Sequence, residues 1–232
     1  MSGNRAPAIW NGLRIVMAAV ILAAIVAQFV KSTDSAAALG RDVGTTVANF
    51  FSFFTILSNL SAATVLAWAA IWWFTRGRND SQPRSLAVAL ACVTTYMAVT
   101  GIVYNTLLRN VELPQGSEAV PWSNEVLHLI GPAFLVVDLV VGPPRRRLGW
   151  KTILLVIGFP IAWVVYTLVR GPLTTNPATG DDWWYPYPFL DPHGPGGYPS
   201  VAVYVLAIAV VFTAVAAGVV WVDRRRAADL PG

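Results

Sequence analysis

Apolar positions gather into six runs with few polar interruptions, residues 13 to 30, 48 to 74, 85 to 108, 123 to 142, 152 to 170 and 200 to 222. Each is long enough to cross a hydrocarbon core about 30 Å thick, which takes about 20 helical residues. Sustained period-2 alternation is missing, which excludes a transmembrane β-barrel. The pattern therefore predicts an all-α polytopic membrane protein: a six-transmembrane-helix bundle forming a single domain over 1–232. No motif repeats between the spans and no two look broken at matching positions, which counts against an inverted-repeat transporter.

Composition agrees. Of 232 residues, 56% are hydrophobic and 12% charged, about half the charged fraction of a soluble domain, and the mean hydropathy is +0.57. Arg5 and Arg14 before the first run and Ala36 to Ala38 after it resemble a signal peptide, but five further spans follow, so the first run is expected to stay as a helix.

Charge adds orientation. Arg5, Arg14, Arg76, Arg78, Arg84, Arg145, Arg146, Arg147, Lys151, Arg224, Arg225 and Arg226 place 12 of the 16 basic residues on one side, and the positive-inside rule makes that side, with both termini, cytoplasmic. Lys31, Arg41, Arg109 and Arg170 fall on the other side, among Asp34, Asp42, Glu112, Glu118, Asp181, Asp182 and Asp191. The net charge of +4 thus reports topology in a cell membrane, not a nucleic-acid partner. The lone Cys92 gives no disulfide framework, and two histidines without an HExxH motif give no metal-ligand cluster. Neither a metal nor a cofactor is expected.

Between the fifth and sixth runs lies GPLTTNPATGDDWWYPYPFLDPHGPGGYP, residues 171 to 199. A connection this long is functional or disordered, and Trp183, Trp184, Tyr185, Tyr187 and Phe189 argue against disorder. The segment is expected to fold back over the outer end of the bundle. Its aromatics, Trp184 among them, either line an acyl channel or form an interfacial belt. His193 either engages a substrate carboxylate or simply occupies a turn.

Polar side chains inside the spans are costly and mark the bundle interior. Read as one helix from Ala48, the second run puts Ser52, Thr55 and Asn59 on one face, with Thr55 roughly 10 Å along it. The fourth run puts His128 roughly 8 Å in, at nearly the same depth. Tyr104 and Asn105 on the third run and Tyr166 on the fifth reach that level too. Two arrangements satisfy these groups. In one, the Thr55 hydroxyl lies against the His128 imidazole, the minimum for nucleophilic hydrolysis. In the other, Thr55 bonds back to the Phe51 carbonyl and His128 is an interhelical hydrogen-bonder. Glu125, three residues before His128, is either the group that orients it or a solvated carboxylate in the first helical turn. Asp138 lies about 15 Å deeper than His128 and is expected to pair with Arg145 by snorkelling, in a structural role.

FFTILSNL, His128 with Pro132, and WWYPYPFLDPHGPGG together resemble the androgen-induced membrane proteins and the related androgen-dependent regulators of tissue-factor pathway inhibitor, in a prokaryotic-type member. YPFLDPHGPG is the most specific tract. That family comprises multipass membrane threonine hydrolases that cleave fatty acid esters of hydroxy fatty acids. The resemblance implies Thr55 as nucleophile, His128 as base, and a lipid substrate arriving from the bilayer to a site near the extracytoplasmic side. Ser52, Asn59, Tyr104, Asn105, Glu125, Tyr166, Trp184 and His193 are the candidates for substrate binding or the oxyanion, with Asn59, Asn105 and Tyr104 foremost for the latter. The competing expectation is a non-enzymatic membrane carrier or lipid-binding sensor in which the same polar layer binds without reacting.

Overall fold

The structure, a computed structural model, describes residues 5–77, 81–111 and 119–228. Arg78, Glu112 and Glu118, counted above for topology, lie outside the described residues. The elements are α1 (Arg5–Ala38), α2 (Val43–Phe50), α3 (Phe54–Thr75), α4 (Arg84–Val103) running into a π-helical turn (Tyr104–Leu108), α5 (Pro121–Glu125), a second π-helical turn (Val126–Ile130), α6 (Gly131–Val140), α7 (Thr152–Arg170) and α8 (Gly197–Ala228). Counting α5 to α6 as one continuous span, six helices among the described residues are long and apolar enough to cross a membrane. The protein is an all-α polytopic membrane bundle. α1 and α8 run well past their apolar runs, because main-chain pairing does not stop where hydrophobicity does.

Small residues let the helices approach. Ala62, Ala63, Ala69 and Ala70 of α3 are buried, as are Ala18 and Ala24 of α1, and these two helices pack together. Gly101 of α4 touches α6: a Cβ there would meet Pro132 Cβ at 3.0 Å. The outer surface is apolar in the way lipid requires. Val203, Leu206 and Val210 of α8 are about two-thirds exposed, at 66%, 67% and 69%, a stripe that acyl chains accept and water would not.

Two prolines loosen helices in the same manner. Pro160 in α7 has no N–H to offer the Val156 carbonyl four residues back, and that carbonyl accepts the Tyr96 hydroxyl at 2.9 Å. Pro132 does the same to His128, with consequences described below.

The second apolar run corrects the expectation of one helix from residue 48 to residue 74. It is two helices, with a break at Phe51, Ser52 and Phe53. The Ser52 hydroxyl takes the Ala48 carbonyl at 2.7 Å, a local bond that competes with helix propagation, and Phe53 is extended at φ −70°, ψ 129°. The Ser52 carbonyl, left without a helical partner, accepts the Trp163 indole N–H at 2.9 Å. Irregular backbone at this depth survives only inside protein, and Ser52 and Phe53 are both buried. The four phenylalanines of the tract fan out: Phe50 and Phe51 contact Phe29, Phe53 contacts Trp184, and Phe54 contacts Tyr96, Trp163 and Phe212. Because every position is apolar or small, hydropathy carries no mark of the break. Asp42 caps α2 by accepting the Thr45 N–H, a bond that holds its exposed carboxyl below the ordinary aspartate range.

Opposite this end, α6 closes on a sealed ionic cluster. Asp138 accepts Arg14 Nε at 2.8 Å and Arg14 Nη2 at 3.1 Å, Arg145 Nη2 at 2.9 Å and Trp10 Nε1 at 2.5 Å. All three charged residues are buried. The Arg145 pairing agrees with expectation. Snorkelling does not: Arg145 lies 1% exposed, turned inward onto Asp138 and Thr94, and Arg14 from α1 supplies the second cation. Arg226 of α8 then donates to the Leu139 and Gly142 carbonyls, both at 2.6 Å, closing the end of α6.

Candidate active site

The break before α3 sets the position of Thr55. It lies in the first turn of that helix, where main-chain N–H groups have no carbonyl four residues back. Its N–H meets the Tyr187 hydroxyl oxygen at 3.3 Å. Its own hydroxyl lies 3.3 Å from His128 Nε2 and 3.2 Å from the Tyr187 hydroxyl. The alternative bond to the Phe51 carbonyl is not made.

His128 is held by a distortion of its own helix. In the π-helical turn, the Gly131 N–H pairs with the Val126 carbonyl, five residues back, and so releases Leu127 O. Pro132 has no N–H and so releases His128 O. Each freed carbonyl is met from a neighbouring helix: Asn59 Nδ2 of α3 reaches Leu127 O at 3.1 Å, and Asn105 Nδ2, beyond α4, reaches His128 O at 3.1 Å. Two amides thus clamp the main chain on either side of the imidazole's attachment. π-Turns recur at functional sites for this reason, since they free backbone groups and shift side-chain register.

The ring itself is fixed on its face and at one nitrogen. Tyr104 stacks on it with centroids 3.7 Å apart and planes 19° apart. The Tyr104 hydroxyl accepts Asn124 Nδ2 at 2.6 Å. His128 Nδ1 lies 3.0 Å from the Asn124 carbonyl oxygen. A carbonyl only accepts, so Nδ1 carries the proton and Nε2 presents a lone pair to Thr55. The hydrogen bonds then run in one direction: Tyr187 O–H to Thr55 Oγ1, Thr55 O–H to His128 Nε2, His128 Nδ1–H to Asn124 O.

The remaining candidates have other employment. Glu125 does not orient His128. It is half-exposed and forked onto Arg109 at 3.0 and 3.1 Å, while the Asn124 carbonyl fills the orienting place. Asn59 and Asn105, expected as oxyanion donors, spend their N–H groups on the clamp, Asn59 also reaching Thr55 O at 2.9 Å and Asn105 reaching Gly101 O at 2.7 Å. Ser52 pairs with Tyr166 at 2.9 Å, a bond that ties the α2–α3 break to α7. Trp184 is buried edge-on against Phe53 and under the Arg170 guanidinium. His193 takes the turn role: it stacks on Trp183 and bonds Asp191 through Nδ1 at 3.0 Å, partly exposed and away from Thr55.

The long loop does lie over this end of the bundle. Trp184 N–H bonds the Gly171 carbonyl at 3.0 Å, and Tyr185 lies so close to Gly171 that a Cβ there would sit 2.2 Å from its ring. Tyr187, Phe189 and Leu190 then line a cavity of about 140 Å³ with Thr55, Thr100 and Tyr104 on one side and residues of α7 and α8 on the other. Its walls are nearly all apolar. Ile161, Ala209 and Thr213 belong both to the lining and to the exposed outer surface, so the cavity borders the lipid between α7 and α8. Tyr187 is the site residue that the spacing of polar groups within the spans missed. It sits outside the apolar runs, and its only signal was membership of the aromatic tract.

No protein-family model, curated protein or solved structure matches the chain.

Proposed function

We propose that this protein is an integral-membrane hydrolase of lipid esters, with Thr55 as nucleophile and His128 as general base. The observation that carries the reading is the Thr55 hydroxyl 3.3 Å from an imidazole nitrogen whose lone pair is set toward it by the bond from Nδ1 to Asn124 O. A threonine hydroxyl is a weak nucleophile until a base takes its proton as it attacks.

The chemistry runs in two halves. Thr55 Oγ1 bonds to the ester carbonyl carbon as its proton passes to Nε2, and the Asn124 carbonyl and the Tyr104 face hold the imidazolium that results. The C–O bond to the leaving alcohol then breaks, and Nε2 returns the proton to that oxygen. In the second half, water loses a proton to Nε2 and attacks the acyl-threonine carbonyl, the bond from that carbon to Oγ1 breaks, Nε2 returns the proton to Oγ1, and the free acid leaves. The acyl chain lies in the apolar cavity, entering sideways from the bilayer between α7 and α8. This agrees with the resemblance to the threonine hydrolases of fatty acid esters of hydroxy fatty acids, whose substrate class is the natural first panel. By the distribution of basic residues, the site faces the extracytoplasmic side of the cell membrane.

A fluorophosphonate probe tests the reading. Labelling of the wild type, lost in both Thr55→Ala and His128→Ala, supports hydrolysis. Equal labelling of all three proteins removes Thr55 from the mechanism.

A further inference from the structure

We infer that Tyr187, carried by the outer loop, is the electrophilic donor of this site: its phenolic hydroxyl stabilises the charge that builds on the ester carbonyl oxygen as Thr55 attacks. The inference rests on the hydrolase reading and adds the group that reading lacks.

Attack by Thr55 turns the carbonyl oxygen into an oxyanion inside a cavity walled by hydrocarbon. There an unpaired charge is far costlier than in water, and a positioned donor correspondingly more effective. Among the described residues lining the cavity, the hydroxyl-bearing side chains other than Thr55 are Thr100, Tyr104, Tyr187 and Thr213. Thr100 is engaged with Ser58 at 3.1 Å. Thr213 bonds its own helix at Ala209 O and faces the lipid. Tyr104 is laid flat on the imidazole. Only Tyr187 reaches the nucleophile.

The oxyanion and the attacking Thr55 oxygen share one carbon, so a donor in contact with Oγ1 is within reach of the oxyanion. In the resting site the Tyr187 O–H points to Oγ1, 3.2 Å away. Once Oγ1 has bonded to carbon, rotation of the hydroxyl hydrogen about the Cζ–Oη bond redirects it, with no heavy atom displaced. The Thr55 N–H, now on the Tyr187 oxygen at 3.3 Å, is a second donor on the same side. It belongs to the positive end of α3.

Rigidity makes such a donor effective, since nothing need reorganise during reaction. The Tyr187 ring is edge-on to Phe53 at 5.6 Å, stacked on Phe189 at 5.2 Å, and tilted against Trp163 at 5.9 Å. Its backbone is extended at φ −137°, ψ 140°, the conformation that the following Pro188 enforces. A tyrosine phenol is protonated at neutral pH in any case, and burial pushes this one further up, so the hydroxyl is available as a donor. Because the donor rides on the loop, the site is complete only with the loop in place.

Tyr187→Phe keeps the ring and removes the donor. With a medium-chain ester in detergent micelles, kcat is expected to fall about 10²- to 10³-fold, with KM changed less than about threefold. An alkyl boronic acid, which forms a tetrahedral anionic adduct on the Thr55 oxygen, should lose affinity in parallel, whereas a straight-chain alcohol of equal length should bind as before. Wild-type kcat in Tyr187→Phe beside an inactive Thr55→Ala overturns the donor role and leaves the hydrolase standing. Equal losses of boronic acid and alcohol binding mark a collapsed cavity and also overturn it. A wild type without Thr55-dependent turnover overturns both readings.

Discussion

The two ends of the bundle each bury a polar cluster, and they are built to opposite ends. Around Asp138, three charges from α1, α6 and the segment after it are locked by four N–H donors, and Asp138 itself is fully buried. Around Thr55 the groups are hydroxyls, an imidazole and amides joined by directed hydrogen bonds without a salt bridge among them, and Thr55 borders a cavity that reaches the lipid-facing surface. A buried ionic cluster adds rigidity and register but little net free energy, because desolvation offsets most of the Coulombic attraction. A neutral chain of hydrogen bonds leaves a proton free to pass from hydroxyl to imidazole. Burial of polar groups in a membrane thus does not by itself single out a candidate site; an adjacent space and a hydroxyl–imidazole pair do.

The contrast can be broken in graded steps. His128→Ala should lower ester turnover at least about 10³-fold, the scale on which a hydrolase loses its base, with the unfolding midpoint in detergent close to that of the wild type. Asp138→Ala leaves two buried guanidinium groups unpaired and should destabilise the fold by about 3–5 kcal/mol, read by thermal unfolding. Turnover per folded molecule should stay near wild type. A loss of activity exceeding the loss of folded protein would mean that the two ends are coupled. Replacing the set together, Arg14→Met, Asp138→Leu and Arg145→Met, should recover most of that stability, because none of these three charges is then left without the others.

Smaller effects sharpen the site end. Asn105→Ala strips the donor from the His128 carbonyl, a loss of about 1–2 kcal/mol, expected as a roughly tenfold lower kcat if the clamp aligns the imidazole. Glu125→Gln should change turnover by less than about twofold, since an exposed Arg–Glu pair contributes under about 1 kcal/mol. A large drop there would restore Glu125 as the orienting carboxylate in place of the Asn124 carbonyl.

The resting depth of the site was legible for a simple reason. Thr55, His128, Tyr104, Asn105 and Tyr166 were placed at one level by counting helical rise, and the structure brings His128 against Thr55, Tyr104 and Asn105, and Tyr166 against Ser52. For Thr55 the count rested on a helix that is broken at Ser52. The level survived because a three-residue break changes height little. The same break changed the chemistry, since it turned an interior helical position into a helix N-terminus. For Glu125 the sequence leaves two roles open, and the structure favours the partly solvated carboxylate, paired with Arg109; α-helical spacing could not decide this, because the chain at Val126–Ile130 winds as a π-turn.

The number of spans belongs to the sequence alone, because transfer into hydrocarbon is a sum over residues in a window and needs no knowledge of neighbours. The presence of an acid–base pair at a common depth was likewise open to counting. Tertiary structure decided which of those groups touch, which are spent on freed carbonyls, and that Tyr187 from the loop meets Thr55 across 132 residues of chain. Those outcomes depend on helix rotation, on a break hidden among phenylalanines and on the path of a loop, and hydropathy is blind to all three.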